Sequence, residues 1–402
     1  MEYRRFGRTE LAMPVFSCGG MRYQQSWQDQ PLVDITTENQ LNLESTIRRA
    51  MELGINHIET ARGYGTSEIQ LGQVLPRLPR QSFILQTKVS PREDPVEFEQ
   101  TLELSFAKLG VDYIDLFGLH GINNEELLNF CLRPGGCLEI AQRFQAQGRI
   151  RFIGFSTHAP TQLILQAIHT NQFDYVNLHW YYFNQTNWSA IEAASQKDMG
   201  VFIISPSDKG GRLYEPSQRL KELCSPLSPM VFNDLFCLSH PQVHTLSLGA
   251  ARVGDFEEHL KTIPLLSGSL NILSEIQERL QSAAIARFSQ RFGDTPLANS
   301  WFYHWADGLP RWQDTPGNIN IPVMLWLWNL LIAYDMVEFG RNRYNLFDNG
   351  GHWFPGNRLP QVHDFDFSDC LVNSPYQHLI PELLLETHQL LSGEGVHRLS
   401  HP

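Results

Sequence analysis

The sequence predicts an α/β fold: a closed (β/α)8 (TIM) barrel with an N-terminal hairpin cap and a C-terminal, mostly helical extension. Three observations predict it. From about residue 15 to 262, short apolar runs alternate with longer stretches whose apolar residues recur at helical spacing. Eight such runs fall within roughly 250 residues, the scale of one closed barrel. The competing doubly wound sheet carries a Gly-x-Gly-x-x-Gly signature after its first strand, and this sequence has none there. Beyond about residue 265 the character changes, so the expected domains are 1–265 and 266–402.

The chain opens with Glu2-Tyr3-Arg4-Arg5-Phe6 and Leu11-Ala12-Met13-Pro14 flanking Gly7-Arg8-Thr9-Glu10, a hairpin pattern placed to close the barrel floor to water. The expected barrel strands are Val15–Cys18, Ile55–Ile58, Phe83–Gln86, Tyr113–Leu119, Ile150–Phe155, Tyr175–Leu178, Val201–Ile204 and His244–Leu248. Leu41–Met51 and Phe98–Leu109 show the helical spacing expected between them. In the tail, Leu270–Phe292 reads as a long amphipathic helix stopped by Gly293. An aromatic, histidine-bearing stretch leads to Trp312, and an apolar helix follows Pro322. Asn349-Gly350-Gly351 and Pro355-Gly356 mark loops, and Pro381–Leu391 a final helix.

Of the 402 residues 42% are hydrophobic and 18% charged, as in an ordinary globular protein. A formal net charge of −12 argues against nucleic acid or an anionic membrane as the main partner, though it allows a local basic pocket. The most membrane-like segment, Ile321–Tyr334, is interrupted by Asn329, closed by Asp335 and short of the roughly 20 apolar residues a span needs. Six scattered cysteines without a Cys-x-x-Cys pair, and an N-terminus lacking a signal-like apolar run, point to a reducing, cytoplasmic location.

The candidate chemistry lies at three successive strand ends. Glu59 and Tyr64 fall in Glu59-Thr60-Ala61-Arg62-Gly63-Tyr64-Gly65-Thr66-Ser67-Glu68, Lys88 follows Leu85-Gln86-Thr87, and His120 closes Asp115-Leu116-Phe117-Gly118-Leu119-His120. Side chains at the C-terminal ends of barrel strands converge on one face. Each residue alone has an ordinary structural explanation; the four together make a site that reduces a carbonyl. A tyrosine with a solution pKa near ~10 needs help to act as an acid. Lys88 beside the Tyr64 hydroxyl would lower that pKa, Glu59 would hold Lys88 charged and oriented, and His120 would bond the substrate oxygen or relay a proton.

With these residues in view, the chain resembles an aldo-keto reductase from Arg5-Phe6-Gly7-Arg8-Thr9 to about Ile263. The resemblance implies Tyr64 as proton donor, with Lys88 and His120 as its partners. Glu59 stands where the family has an aspartate, and its extra methylene carries the carboxylate about one bond further. The family binds an extended nicotinamide cofactor without a Rossmann fold. Gly20 and Met21 then match the loop beneath it. Ser156 and Thr157 match a Ser-Asn pair on the carboxamide, and Asn177 matches a glutamine with the same task. Ser205 and Pro206 match the segment lining nicotinamide and pyrophosphate. Arg252 is the only cation near the position of the adenosine phosphate, while Asp255 and His259 replace a basic residue and an asparagine often seen there. NADPH is the expected cofactor, with NADH left open, and the substrate is a small carbonyl compound.

The tail resembles a ferredoxin-like extension of one branch of the family, through Pro316-Gly317-Asn318-Ile319-Asn320-Ile321-Pro322 and Ser374-Pro375-Tyr376-Gln377-His378-Leu379-Ile380-Pro381-Glu382-Leu383-Leu384. The cluster cysteines of that branch would fall on Ala306, Leu309, Trp312 and Thr315, and on Asp364, Phe367, Cys370 and Ser374. Only Cys370 is a thiol, so no iron-sulfur cluster is expected, with Trp312 and Phe367 filling the space. His304, His352, His363 and His378 sit at no recurring metal-ligand spacing. The alternative reading is a low-turnover nicotinamide-binding sensor or adaptor. Its tail would contact a protein partner through apolar surface around Trp326 and Trp328.

Overall fold

The computed structural model describes residues 1–268, 270–347, 355–359 and 365–393. These fall into two compact units. One comprises Met1–Gly210 and Asn233–Gly268, the other Gly211–Phe232 and Ser269–Pro402.

The first unit is the barrel. Its strands are β1 (Tyr3–Arg5), β2 (Ala12–Pro14), β3 (Phe16–Gly19), β4 (His57–Glu59), β5 (Ile84–Val89), β6 (Ile114–Leu119), β7 (Ile150–Ser156), β8 (Tyr175–Leu178), β9 (Gly200–Ile203) and β10 (Thr245–Leu248). Strands β3 to β10 pair in sequence order and close where β10 pairs with both β9 and β3, in parallel throughout. All eight expected runs are therefore barrel strands. The main difference is that β5 continues past Gln86 to Val89, which puts Lys88 on the strand itself.

Two of the long helices between the strands begin where a side chain satisfies a free backbone group. Thr36 caps the helix Thr37–Glu52 by accepting from the Asn39 N–H, and Asp94 caps Pro95–Leu109 by accepting from Val96. The hairpin pairs Tyr3 with Pro14 and Arg5 with Ala12. It carries Phe6 and Met13, both 0% exposed, into a core with Ile84, Leu116, Tyr175 and Phe202. Burying each such side chain contributes about 1.5–3 kcal/mol. Next to this apolar layer lies a polar one, in which Ser17 Oγ meets His57 Nδ1 at 2.6 Å and Thr245 Oγ1 at 2.7 Å.

The second unit is helical, with Leu270–Phe292, Thr295–His304, Ile321–Tyr334, Val337–Tyr344 and Ile380–Leu391 as its main elements. Residues 211–232 cluster with it. Ser217 Oγ donates to Tyr334 O at 2.7 Å, and Arg279 Nε donates to Leu223 O at 2.8 Å. The expected apolar surface at Trp328 is not there. Trp328 is 0% exposed, stacks on Phe288 with centroids 5.7 Å apart, and donates its indole N–H to Glu386 at 3.0 Å. Trp326 meets the Phe339 ring edge-on at 5.7 Å. The long apolar helix thus buries the Trp328 indole, while Trp326 is half-buried.

At the positions matched to cluster cysteines, local contacts take over. Thr315 Oγ1 lies 2.7 Å from Trp312 O and 2.8 Å from Ile319 O, Phe367 is buried, and Cys370 Sγ donates to Phe367 O. Asp364, His352, His363 and the 349–351 loop lie outside the described residues. Among the described residues no group of three or more metal-ligating side chains is found, and no helix is long and apolar enough to cross a membrane.

Candidate active site

The register of β4, β5 and β6 sets the site. Glu59 ends β4 opposite Gln86, and Lys88, two residues further along β5, lies opposite Gly118 of β6. Residues two apart on a strand share a face. Gln86 reaches Asn177 across the barrel at 3.4 Å, so Lys88 also points inward. A Cβ at Gly118 would sit 2.9 Å from Lys88 Cγ, so a side chain there would collide with the lysine stem.

Lys88 and Glu59 are 1% and 3% exposed and form an ion pair through Nζ and Oε1. Nζ also donates to Thr60 O at 2.7 Å, and Ser247 Oγ donates to Glu59 Oε2 at 3.4 Å. The Tyr64 hydroxyl donates to Glu59 Oε1 at 3.5 Å, while Lys88 Nζ sits 5.0 Å from the Tyr64 ring centroid. Lys88, expected to lower the Tyr64 pKa directly, instead meets Tyr64 through the shared Glu59 Oε1, and the phenol is pushed up rather than down. The longer side chain carries a single carboxylate oxygen to both groups. His120 completes the set, its ring edge-on to Tyr64 at 5.6 Å.

Burial dominates the electrostatics. It pushes the Tyr64 phenol well above its ordinary value, and the Glu59 charge pushes the same way. Burial lowers Lys88, opposed by the Glu59 and Glu68 carboxylates. His120 is held down at about 3 by burial and by the Lys88 charge, so it is neutral at physiological pH. Its Nδ1 is buried with no hydrogen-bond partner in the structure.

The Tyr64 loop is latched to the loop after β3. Ser26 and Gln25 donate their backbone N–H groups to Thr66 Oγ1, and Thr66 N donates to Ser26 O at 3.0 Å. Gly65 has φ +52°, and a Cβ there would fall 1.8 Å from Ser26 O, so the Tyr-Gly pair needs its glycine. Arg62 bridges Glu68 at 2.8 Å and Asp29 at 2.5 Å. This latch brings Trp27 edge-on to Tyr64 at 6.3 Å. Tyr23, in the same loop after β3, is only 1% exposed.

The candidate cofactor residues divide. Asn177 is 0% exposed; its Oδ1 accepts from Gln86, and its Nδ2 has no partner. Ser156 Oγ accepts from the Gly121 N–H at 3.0 Å, whereas the Thr157 hydroxyl spends its proton on Ile122 O at 2.7 Å. Gly20 is buried against Glu59 O and Met21 is half-buried. Ser205 is left-handed at φ 53° and leads into a helical turn, Pro206–Lys209. Arg252 points outward, 80% exposed, and pairs with Asp255 at 3.1 Å.

Three groups escaped the sequence reading. His158 Nδ1 lies 2.6 Å from His179 Nε2, and His179 Nδ1 lies 2.5 Å from the Tyr181 hydroxyl. Both histidines directly follow strand-end segments, so the strand-end rule would have found them. Arg22 donates to Gly249 O at 2.7 Å, and Asp234 Oδ2 lies 2.5 Å from His259 Nδ1. Those contacts span more than 200 and 25 positions and leave no local signal.

Residues 16–213 match the model of the aldo/keto reductase family. The barrel is an aldo-keto reductase domain. Among its relatives, the NADH-specific methylglyoxal reductase of Escherichia coli K12 is 25% identical over 195 residues, covering 41% of this chain and 56% of that protein. The L-galactose dehydrogenase of Arabidopsis thaliana is 27% identical over 180 residues, 41% of this chain and 55% of that one. The chain thus spans about half the length of these two relatives. The L-glyceraldehyde 3-phosphate reductase of Escherichia coli O157:H7 is 20% identical, covering 70% of this chain and 92% of that one. Among solved structures, the holo form of an aldo-keto reductase from Bacillus halodurans matches with TM-score 0.57 and 19% identity, over 69% of this chain and 96% of that one. A thermostable aldo-keto reductase in complex with epalrestat matches with TM-score 0.58 and 20% identity, over 69% and 100%. These two support the fold of the aldo-keto reductase barrel; the family match itself covers β3 to β9.

Proposed function

We propose that this chain is an NAD(P)H-dependent reductase of an aldehyde or ketone, with Tyr64 as proton donor. The observation that carries the reading is the Glu59 carboxylate joined to both Lys88 and Tyr64, beside a neutral His120, at the mouth of an aldo-keto reductase barrel. The chemistry belongs to residues 1–265, and 266–402 form a supporting unit of degenerate ferredoxin-like origin. Six unpaired cysteines support a reducing, cytoplasmic setting. A relative named for NADH specificity supports keeping both nicotinamide cofactors in view.

The residues present fit a nicotinamide. The buried Asn177 Nδ2 is a donor without a partner, suited to a carboxamide oxygen, and Ser156 Oγ has its own proton to give on the neighbouring strand. When bound, the cofactor supplies the hydride. Tyr64 is fully protonated at neutral pH and gives its proton to the carbonyl oxygen as that oxygen gains charge. Lys88 stabilises the tyrosinate left behind, Glu59 keeps the ammonium in place, and His120 donates a hydrogen bond to the same oxygen.

The test is cofactor oxidation by absorbance across a panel of aldehydes and ketones, with Tyr64→Phe in parallel. The variant is expected to lose roughly 10²–10⁴-fold in kcat while still binding the dinucleotide. Near wild-type turnover in Tyr64→Phe would remove Tyr64 from the mechanism.

A further inference from the structure

We propose that Ser207, His259 and Asp234 form a second reactive centre, in which Ser207 is a nucleophile toward a small carboxylic ester. The proposal stands apart from the reductase reading and uses none of its catalytic residues. A serine hydroxyl is a weak nucleophile at neutral pH and needs an adjacent base, itself held by a third group. A serine, an imidazole and a carboxylate in that order are recognised by their geometry, whatever fold carries them.

That geometry is present here. Ser207 Oγ lies 3.3 Å from His259 Nε2, and His259 Nδ1 lies 2.5 Å from Asp234 Oδ2. An ionised carboxylate only accepts, so Nδ1 carries the imidazole proton and Nε2 turns its lone pair to the serine. Asp234 is 0% exposed and His259 4%, while Ser207 is only half-buried. Asp234 Oδ1 has no hydrogen-bond partner in the structure, which leaves the carboxylate committed to His259. Burial pushes the Asp234 carboxyl up and the His259 charge pulls it back, so its anion is best stabilised beside an imidazolium. That is the state created when His259 takes the Ser207 proton.

The three residues come from separate segments. Ser207 lies in the turn Pro206–Lys209 after β9, Asp234 in the helix Pro229–Leu238, and His259 in the turn Glu257–Leu260 after β10. Asn233, also 0% exposed, donates to Pro206 O at 3.4 Å and ties the Asp234 helix to the residue before Ser207. The Phe16 ring meets His259 edge-on at 5.8 Å. Ser205 enters the turn at φ 53°, a left-handed conformation uncommon for serine. Backbone strain of this kind clusters at active sites, and nucleophilic serines on strand-to-helix turns show it.

In the reaction, Ser207 Oγ bonds to the ester carbonyl carbon while its proton passes to His259 Nε2. The bond from that carbon to the alkoxide oxygen breaks, and the leaving oxygen takes the proton. Water is the second reactant. It gives a proton to His259 as its oxygen bonds to the acyl carbon, and Ser207 Oγ leaves with that proton as the carboxylic acid departs. Ser207 and His259 act on the substrate; Asp234 is a positioning residue.

The probe is p-nitrophenyl acetate with the full chain, read as p-nitrophenolate release and as acetyl groups located by peptide mass mapping. The wild type is expected to carry an acetyl group on Ser207 and to turn the ester over at least about 10²-fold faster than Ser207→Ala. His259→Gln should lose the acetyl group on Ser207. Asp234→Asn reverses the imidazole tautomer, so kcat should fall by roughly 10²–10⁴-fold with KM held, in protein whose thermal melt confirms folding. Ser207→Ala truncates a half-buried side chain by one atom, so it decides the matter where a buried variant fails to fold. Ester turnover unchanged in Ser207→Ala, or acetyl groups found only on lysines and cysteines, overturns the proposal. A folded Asp234→Asn chain as active as the wild type overturns it as well. None of these outcomes bears on Tyr64 or on the reductase reading.

Discussion

At the barrel mouth, Lys88 and Glu59 are almost wholly buried as an ion pair, and His120 Nδ1 and Asn177 Nδ2 are buried without partners. In the helical unit, Trp301 and Trp328, both 0% exposed, pack with Phe288 and Phe292 and send their indole N–H groups to Asn329 and Glu386. Burying a charge or an unpaired polar atom costs stability unless something compensates it. Burying a satisfied indole contributes stability. The comparison separates a region that carries buried polar atoms without partners from one whose indole N–H groups are satisfied.

The largest expected effect comes from breaking the ion pair. Lys88→Met leaves Glu59 buried and unpaired, so stability should fall by about 3–5 kcal/mol in denaturant melts, and reductase activity should be lost with it. Wild-type stability in this variant would mean that water or a neighbour already compensates Glu59. On the other side of the comparison, Trp328→Ala should destabilise the helical unit by a similar ~3–5 kcal/mol through the cavity it leaves. Its signature is an earlier thermal transition by tryptophan fluorescence, with dinucleotide affinity of the folded protein unchanged. A shift in that affinity would show that the helical core also serves the site.

Acid should produce a smaller, graded effect. His57 is buried and held down at about 3, first by burial and then by the Lys88 charge. An unfolded histidine titrates near ~6.5. Between those values the unfolded chain takes up a proton that the folded barrel refuses. Stability is therefore full above about pH 6.5 and declines as the pH falls toward 3, by up to about 1.4 kcal/mol per pH unit for each such histidine. His57→Gln should flatten this slope in melts between pH 7 and 4.5, and an unaltered slope would assign the sensitivity to other groups.

Much of the barrel was legible because its information is local. Short apolar runs mark strands wherever both faces are buried, and all eight runs formed strands. The boundaries were less legible. β5 extends through the polar Thr87-Lys88 pair because ladder pairing with β6 continues to Val89, and pairing is indifferent to side-chain polarity. The Glu59, Tyr64, Lys88 and His120 cluster was legible through the convergence of strand ends. That Glu59 rather than Lys88 would hold the Tyr64 hydroxyl was not, since it depends on how far one methylene carries a carboxylate.

In the tail, sequence correctly marked Ile321–Tyr334 as a helix but left open which indoles face outward. The Arg252–Asp255 pair was two charges on a line of text, and only the turn geometry showed them within hydrogen-bond reach of each other. By itself, then, the sequence determined the order and type of the elements and which residue types arrive at the barrel mouth. Those follow from periodicity and strand direction. The tertiary structure alone decided which polar atom meets which, because hydrogen bonds and ion pairs depend on ångström-scale distances between segments far apart in the chain.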